Sequence, residues 1–598
     1  MNALRLSYAG LFVIWATNAP CQDEENSVLV QAMQDEMERT LTELQLEDES
    51  QPYFISYTVN ETILASESYV LGAQDDSKFD HLRRLTTKVR VGSKSFDNSY
   101  FVILRDEGSP IGATNGGLLL PLDDDYEEIR RSLWIATDQA YKEAISQFNG
   151  KKASRATQSY ARRPADFSSE EPFTLTSSEQ IQHPRIAEIS RVAQELSETF
   201  RDQSDIFVSS ASVVSVSNKR TYLDSEGNFH VDTTEFCSAR THGETQSVGG
   251  TELSDTTSFF AKGCSGLPEV SHMQDQTVQM IEKLKQQRYA EELFVYNGPV
   301  LFEAQAAAEL MNQVLFDLLG AVPLPQIGNP QFDGQTQQLT SPFLDRLNSR
   351  VFSRSFSIVN DPTVDEYNNK PLLGSYSVDA EGMPSRRTEL VANGRLRTLL
   401  TSRSPIGSLR KSTGSHRGLP LPLPGNLFVA MEDAVPMDEL KAELLSAARS
   451  NSSEFSVIIR KIANVLDLHK DQATLSQKVE ASLRGDTLIL PSVYAAKVDS
   501  EGRETPILPV VVVNFDAAYF KDILGASEER WQFDVPVSTL GATSVLNVLT
   551  QGVGVLTGAD QTLVSAITPA LLFEELSLRS ARQEYPKLPI VSHPLENE

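Results

Sequence analysis

Basic residues are scarce in this chain: 53 Lys and Arg stand against 81 Asp and Glu in 598 residues, a formal charge of -28. Binding to a nucleic-acid backbone relies on Lys and Arg displacing counterions from phosphate, so DNA and RNA are not expected partners. Neither G-x-x-x-x-G-K-[ST] nor a G-x-G-x-x-G between strand and helix occurs, which removes the usual phosphate cradles. Cysteine is rarer still, with Cys21, Cys237 and Cys264 only. Without a C-x-x-C pair, a zinc knuckle is not expected. None of the eight histidines precedes a Glu, so no H-E-x-x-H is present. The G-x-S-x-G elbow of serine hydrolases is missing too.

What is present reads as a globular protein, with 40% apolar residues. The length is too great for one core and implies at least two domains. MNALR, then the apolar LSYAGLFVIWAT, then NAPC before the acidic QDEEN, match a secretory leader spanning residues 1–21. Its apolar run is about a dozen residues where a spanning helix needs ~20, so removal is expected rather than a stable membrane span. Cleavage after Cys21 leaves Ala19 as the small residue at minus three; lipid attachment at Cys21 is the rival, disfavoured by Pro20. Periplasmic or secreted export follows. An oxidising compartment would let Cys237 and Cys264 pair, and two buried thiols are the alternative.

The spacing of apolar residues predicts helices in SVLVQAMQDEMERTLTELQL, YEEIRRSLWIATDQAYKEAISQF, PRIAEISRVAQELSETF and VSHMQDQTVQMIEKLKQQRYAEEL. Strands are expected in YFISYTV, LTTKVRV, SYFVILR, DIFVSSASVVSVS, RTYLDSEG and NFHVDTTEF, and KKASRATQSYARRPADFSSEEP is expected as a loop. Beyond Glu292 the chain becomes strand-rich, with Ala392-Asn393-Gly394 a tight-turn signal and the Gly-rich VLNVLTQGVGVLTG a buried strand. The order of elements lacks the regular alternation of a doubly wound sheet. The expectation is therefore an α+β protein: a mixed domain over 22–291, a strand-rich domain over 292–580 and a tail over 581–598.

Candidate chemistry is sparse. His230 and Asp232, and likewise His242 and Glu244, stand two apart and share a strand face, which points to sheet packing before ligation. Ser415 and His416 are adjacent in STGSHRG, where a solvated loop histidine is expected. VLFEAQAAAELMNQVLFDLLG runs from a buried strand into a helix with the polar pair Asn312 and Gln313 at its middle.

That stretch, followed by DAEGMPSRRTELVANGRLRTLLTS, STGSHRG and ITPALLFEELSLR, and preceded by KRTYLDSEG, resembles the TldD/PmbA family, long called modulators of DNA gyrase. The resemblance covers most of the chain beyond the leader in order, and D-x-E-G-x-P-x-x-R is its most specific part. It implies a two-domain fold and peptide hydrolysis. In the TldD branch the helix after the strand carries H-E-x-x-x-H, with Glu as general base, and a cysteine from a Gly-rich C-terminal segment completes a zinc site. The PmbA branch, also called TldE, lacks these ligands and pairs with the catalytic subunit. Aligned on PVLFEAQ, Met311 and Phe316 stand where the histidines would, and Asn312 where the glutamate would; VLTQGVGVLTGAD holds no cysteine.

A thioether, an amide and a phenyl ring cannot hold zinc, and an amide cannot take a proton from water near neutral pH. At 100° per residue Met311 shares a face with Ala307, Val314, Leu315 and Leu318, with Phe316 well round from it. The reading is a PmbA/TldE-like subunit with no catalytic residues, cofactor or metal of its own, partnering a catalytic TldD-like paralogue and holding peptide. The rival enzyme reading draws an atypical metal site from His230, His242 or His416. A third is an exported binding or scaffold protein.

Overall fold

A computed structural model describes residues 27–103, 117–157, 164–177, 179–327, 341–418, 421–464, 489–537 and 562–581. The expected leader, the Gly-rich VLTQGVGVLTGAD segment and the tail from 582 lie outside the described residues. Two large sheets carry the fold, one of eight strands and one of eleven, in an α+β arrangement.

The first sheet draws its strands from Phe96–Asp97, Ala73–Ser93, Pro52–Val70, Val208–Asp224, Phe229–Gln246 and Thr174–Thr176 in that order, with Leu118–Leu120 and Glu252–Ala261 added at its sides. Its long strands are antiparallel, and alternating small and β-branched residues give each one a face toward the helices. Val28–Glu43 and Tyr126–Thr157 cover one stretch through Met33, Met37, Leu133 and Tyr141. Ile186–Glu198 and Val270–Gln287 cover the rest, where Ile189, Leu196 and Met273 meet Ala65, Val213 and Ala239. Cys237 and Cys264 form a disulfide, with their Cα atoms 4.9 Å apart.

In the second sheet the long strand Leu563–Ser580 is central. On one side it pairs with Asn426–Met431 in parallel and with Val295–Phe302 antiparallel; on the other it meets Ile523–Pro536 and Val510–Val513. Burial on both faces explains its nearly unbroken apolar run. Asn393 and Gly394 both take positive φ, 50° and 71°, between the paired residues Ala392 and Arg395. That is the two-residue turn Asn-Gly favours. A Cβ at Gly394 would lie 2.3 Å from the Ser353 carbonyl oxygen, so this site also needs glycine for space.

Three local expectations change. The segment expected as a loop from Lys151 instead continues the helix to Thr157. The reason is Lys151, whose buried ammonium donates to the carbonyls of Asp97 (2.9 Å) and Ser99 (2.8 Å) and to Asp166 (2.8 Å), anchoring that turn to the sheet. DIFVSSASVVSVS and RTYLDSEG merge into one strand, Val208–Asp224, because pairing with Pro52–Val70 runs through the polar Asn218 and Lys219 without a break. Of SYFVILR, Leu104 and Arg105 lie outside the described residues, and the strand in the rest is Phe101–Val102, paired in parallel with Gln326–Ile327 from the other half of the chain. No described helix is long and apolar enough to cross a membrane.

Candidate functional site

Val295–Phe302 delivers the chain into a helix over Ala304–Leu310. From Met311 to Leu315 that helix widens into a π-turn, and the Phe316 N–H donates to the Met311 carbonyl. A π-turn bonds residue i to i+5, so it draws residues 311 and 316 toward one side rather than leaving Phe316 well round from Met311. This corrects the regular-helix expectation. Two side chains five apart on such a turn could meet at one ion, yet both are fully buried apolar groups here.

The polar face of the helix is set by other residues. Glu309 is buried, and its Oε2 accepts from the Asn312 and Gln313 amides, each at 3.1 Å. Asn312 Nδ2 also donates to the Pro536 carbonyl at 3.0 Å, and Gln313 Nε2 to that of Ala463 at 2.9 Å. The Gln313 Oε1 accepts from the Leu490 N–H at 2.8 Å. Asn464 joins the Glu309 Oε1 side. Sequence reasoning singled out Asn312 and Gln313 and missed Glu309; its place three and four residues before them on a helix was the available signal.

Zinc does not fit this donor set. Met311 and Phe316 offer no imidazole, and Asn312 is committed as a donor to Glu309 and Pro536. Among the described residues no group of three or more His, Cys, Asp or Glu side chains is placed to hold a metal ion.

Among the described residues the three histidines of the rival reading do not gather into a metal-holding group. His242 lies on Phe229–Gln246 between Glu244 (Nε2 to Oε1, 2.8 Å) and Thr256 (Nδ1 to Oγ1, 2.9 Å). His230, on the same strand, is fully buried and stacked on Tyr222 with ring centroids 4.7 Å apart. Neither of its ring nitrogens has a hydrogen-bond partner. Burial, then the nearby Arg220 charge, pushes it down to about 2, so it is neutral.

His416 is buried at 8% exposure and is no solvated loop residue. Its N–H donates to Asp379 Oδ2 (3.1 Å), and its carbonyl accepts from the Ala380 N–H (2.7 Å), fastening STGSHRG onto the D-x-E-G segment. Asp379 Oδ1 takes the N–H groups of Glu381 (2.8 Å) and Met383 (3.0 Å). Burial and the neighbouring Glu381 charge push the Asp379 carboxyl up to about 7. For Glu381 burial is outweighed by His416, Lys88 and Arg90, which lower it. Gly382, at φ 79°, lets this turn meet the first sheet, since a Cβ there would lie 2.9 Å from Tyr222. The D-x-E-G turn thus joins the two sheets, with Arg220 Nη2 donating to the Val378 carbonyl at 3.0 Å.

Residues 296–450 match the PmbA/TldA metallopeptidase C-terminal domain. A metalloprotease of Methanothermobacter thermautotrophicus is 37% identical over 79 residues, 12% of this chain and 16% of that protein. A metalloprotease of Methanocaldococcus jannaschii is 29% identical over 120 residues, 20% of this chain and 26% of that one. The matched stretches therefore span about a quarter or less of those relatives. The fold as a whole is shared with solved structures. A protein described as a modulator of a DNA gyrase from Thermotoga maritima superimposes with a TM-score of 0.55 at 14% identity, covering 88% of this chain and 96% of that one. TldE from Thermococcus kodakarensis gives 0.53 at 10% identity, covering 92% and 100%. The matched domain is metallopeptidase-related. Residues 296–450 belong to the PmbA/TldA metallopeptidase C-terminal domain family, and the chain as a whole has the fold seen in TldE.

Proposed function

We propose that this chain is a non-catalytic, PmbA/TldE-like subunit that pairs with a zinc-bearing TldD-like relative and helps it hold extended peptides for proteolysis. The observation that carries this reading is the π-turn at Met311–Leu315, whose five-residue closure suits a pair of metal ligands but presents Met311 and Phe316 to the core. Asn312, with its amide bound to Glu309 and Pro536, has no basicity with which to activate water.

A seat for peptide is available beside it. Ile523–Pro536 pairs with Leu563–Ser580 on one side, and from Arg530 onward no second strand covers its outer side among the described residues. Strand addition at such an edge uses main-chain hydrogen bonds and therefore tolerates varied sequences. The edge ends at Pro536, whose carbonyl touches Asn312. Export to an oxidising compartment belongs to the same proposal and is supported by the Cys237–Cys264 bond.

The test is a pull-down of the tagged full chain from its native source. Recovery of a relative bearing H-E-x-x-x-H, with peptidase activity in the pair and none in this chain alone, is the expected result. A monomer that binds no peptide and recovers no such relative would overturn the reading in favour of a scaffold.

A further inference from the structure

One guanidinium at the end of the second sheet stands out by its surroundings. Arg417 donates through Nη1 to the carbonyls of Pro424 (2.9 Å) and Leu563 (2.7 Å). Its charge also lies 5.0 Å from the centre of the Tyr376 ring. Among the described residues no carboxylate forms an ion pair with it, and Tyr376 is the sole titratable group felt by its charge. Among the described residues the buried Arg403 is balanced by Glu226 and Asp224 and the buried Arg83 by Glu61 and Asp124, and the partly buried Arg90 is balanced by Asp97. A guanidinium with free donors and no carboxylate beside it is open to an anion from outside the chain.

Arg417 keeps donors for that anion. It is only partly buried, and its remaining guanidinium nitrogens are not enclosed.

The position is also specific. Leu563 pairs with Pro536 across the strands, and the Pro536 carbonyl accepts from Asn312. Arg417 and Asn312 therefore flank the same end of the sheet, toward which a peptide lying along Arg530–Pro536 would run.

We infer that Arg417 is a recognition site for the carboxylate of an extended peptide, held at the end of the sheet beside Asn312. This rests on the peptide-holding reading above and narrows it to peptides that present an anionic group. The fork of a guanidinium matches a carboxylate in two parallel hydrogen bonds, which an ammonium cannot reproduce. Either a C-terminal carboxylate or an Asp or Glu side chain supplies that chemistry.

The experiment uses the full chain and fluorescein-labelled ten-residue peptides of one uncharged sequence, prepared as the free C-terminal acid, as the C-terminal amide, and as the amide carrying one Glu or one Gln near its end. Fluorescence anisotropy gives the affinities. The expected result is that the neutral amide binds about tenfold or more weakly than the acid, the loss typical of a charged hydrogen-bonded pair. Rescue by Glu and not Gln would identify a side chain as an accepted source; no rescue would confine the site to the C-terminus. Arg417→Lys should shrink the acid-to-amide ratio. The comparison within the unmutated chain stands even if that variant is unstable. Equal binding of acid and neutral amide would reduce Arg417 to a staple between Pro424 and Leu563 and overturn this inference, leaving the peptide-holding function intact. Failure of every peptide to bind would overturn both.

Discussion

Replacing His230 should alter how the first sheet responds to acid. The imidazole is fully buried with both ring nitrogens unpartnered, and burial followed by the Arg220 charge pushes it down to about 2 from an unfolded value of 6.5. A base with a depressed folded pKa contributes stability that is present above pH 6.5 and lost as pH falls toward 2, because the unfolded chain binds the proton first. At about 1.4 kcal/mol per pH unit below 6.5, lowering pH from 7.5 to 4.5 should remove about 2.5 kcal/mol through this group alone. His230→Phe keeps a ring stacked against Tyr222, 4.7 Å away in the present structure, and removes the titrating nitrogens. Urea unfolding followed by the fluorescence of Trp134, which sits on the helix Tyr126–Thr157, reports on this half of the chain in a Trp531→Phe background. The variant should gain on the parent by about 2.5 kcal/mol between those two pH values. Parallel pH profiles for the two proteins would refute the reasoning, since they would mean that His230 finds a proton partner or water.

Other consequences can be checked separately. Cys237→Ser with Cys264→Ser opens a loop with a sequence separation of 27, and loop-closure entropy puts the loss at about 3.5 kcal/mol, read as a lower unfolding midpoint that reductant does not lower further. Asn312→Ala strips a donor from buried Glu309 and from the Pro536 carbonyl and should cost about 1–3 kcal/mol; a loss within error of zero would show that the network around Asn312 is not holding the helix. Lys461→Met removes the ammonium that faces Asp255, which is buried and also accepts from Tyr494 at 2.6 Å. Leaving that carboxylate without its cation should cost about 3–5 kcal/mol in thermal or urea unfolding and loosen the contact between the halves of the chain.

Much of this architecture is written in local patterns, and its failures have identifiable causes. The helices Val28–Glu43, Ile186–Glu198 and Val270–Gln287 follow from apolar residues at helical spacing. Asn393-Gly394 marks its turn because both residues accept positive φ. Lys151–Thr157 read as a loop because its polar composition hides one buried lysine whose partners, Asp97, Ser99 and Asp166, are distant in sequence. His416 read as solvated for the same reason: the residue that covers it, Asp379, lies 37 positions away. The π-turn at Met311–Leu315 has no signature in apolar spacing, since it inserts its wider step into a helix whose residues are apolar nearly all round. Nothing in the sequence marks Arg417, an arginine in a polar loop, and only the fold reveals that its neighbours are carbonyls rather than carboxylates.

The most direct test of the proposed non-catalytic role is zinc content, measured by mass spectrometry on the isolated full chain and on its copurified complex. Isolated protein should carry well under one equivalent of zinc, with stoichiometric metal appearing in the pair. One tightly held zinc per isolated chain, lost together with peptidase activity in His416→Ala or His242→Ala, would contradict it.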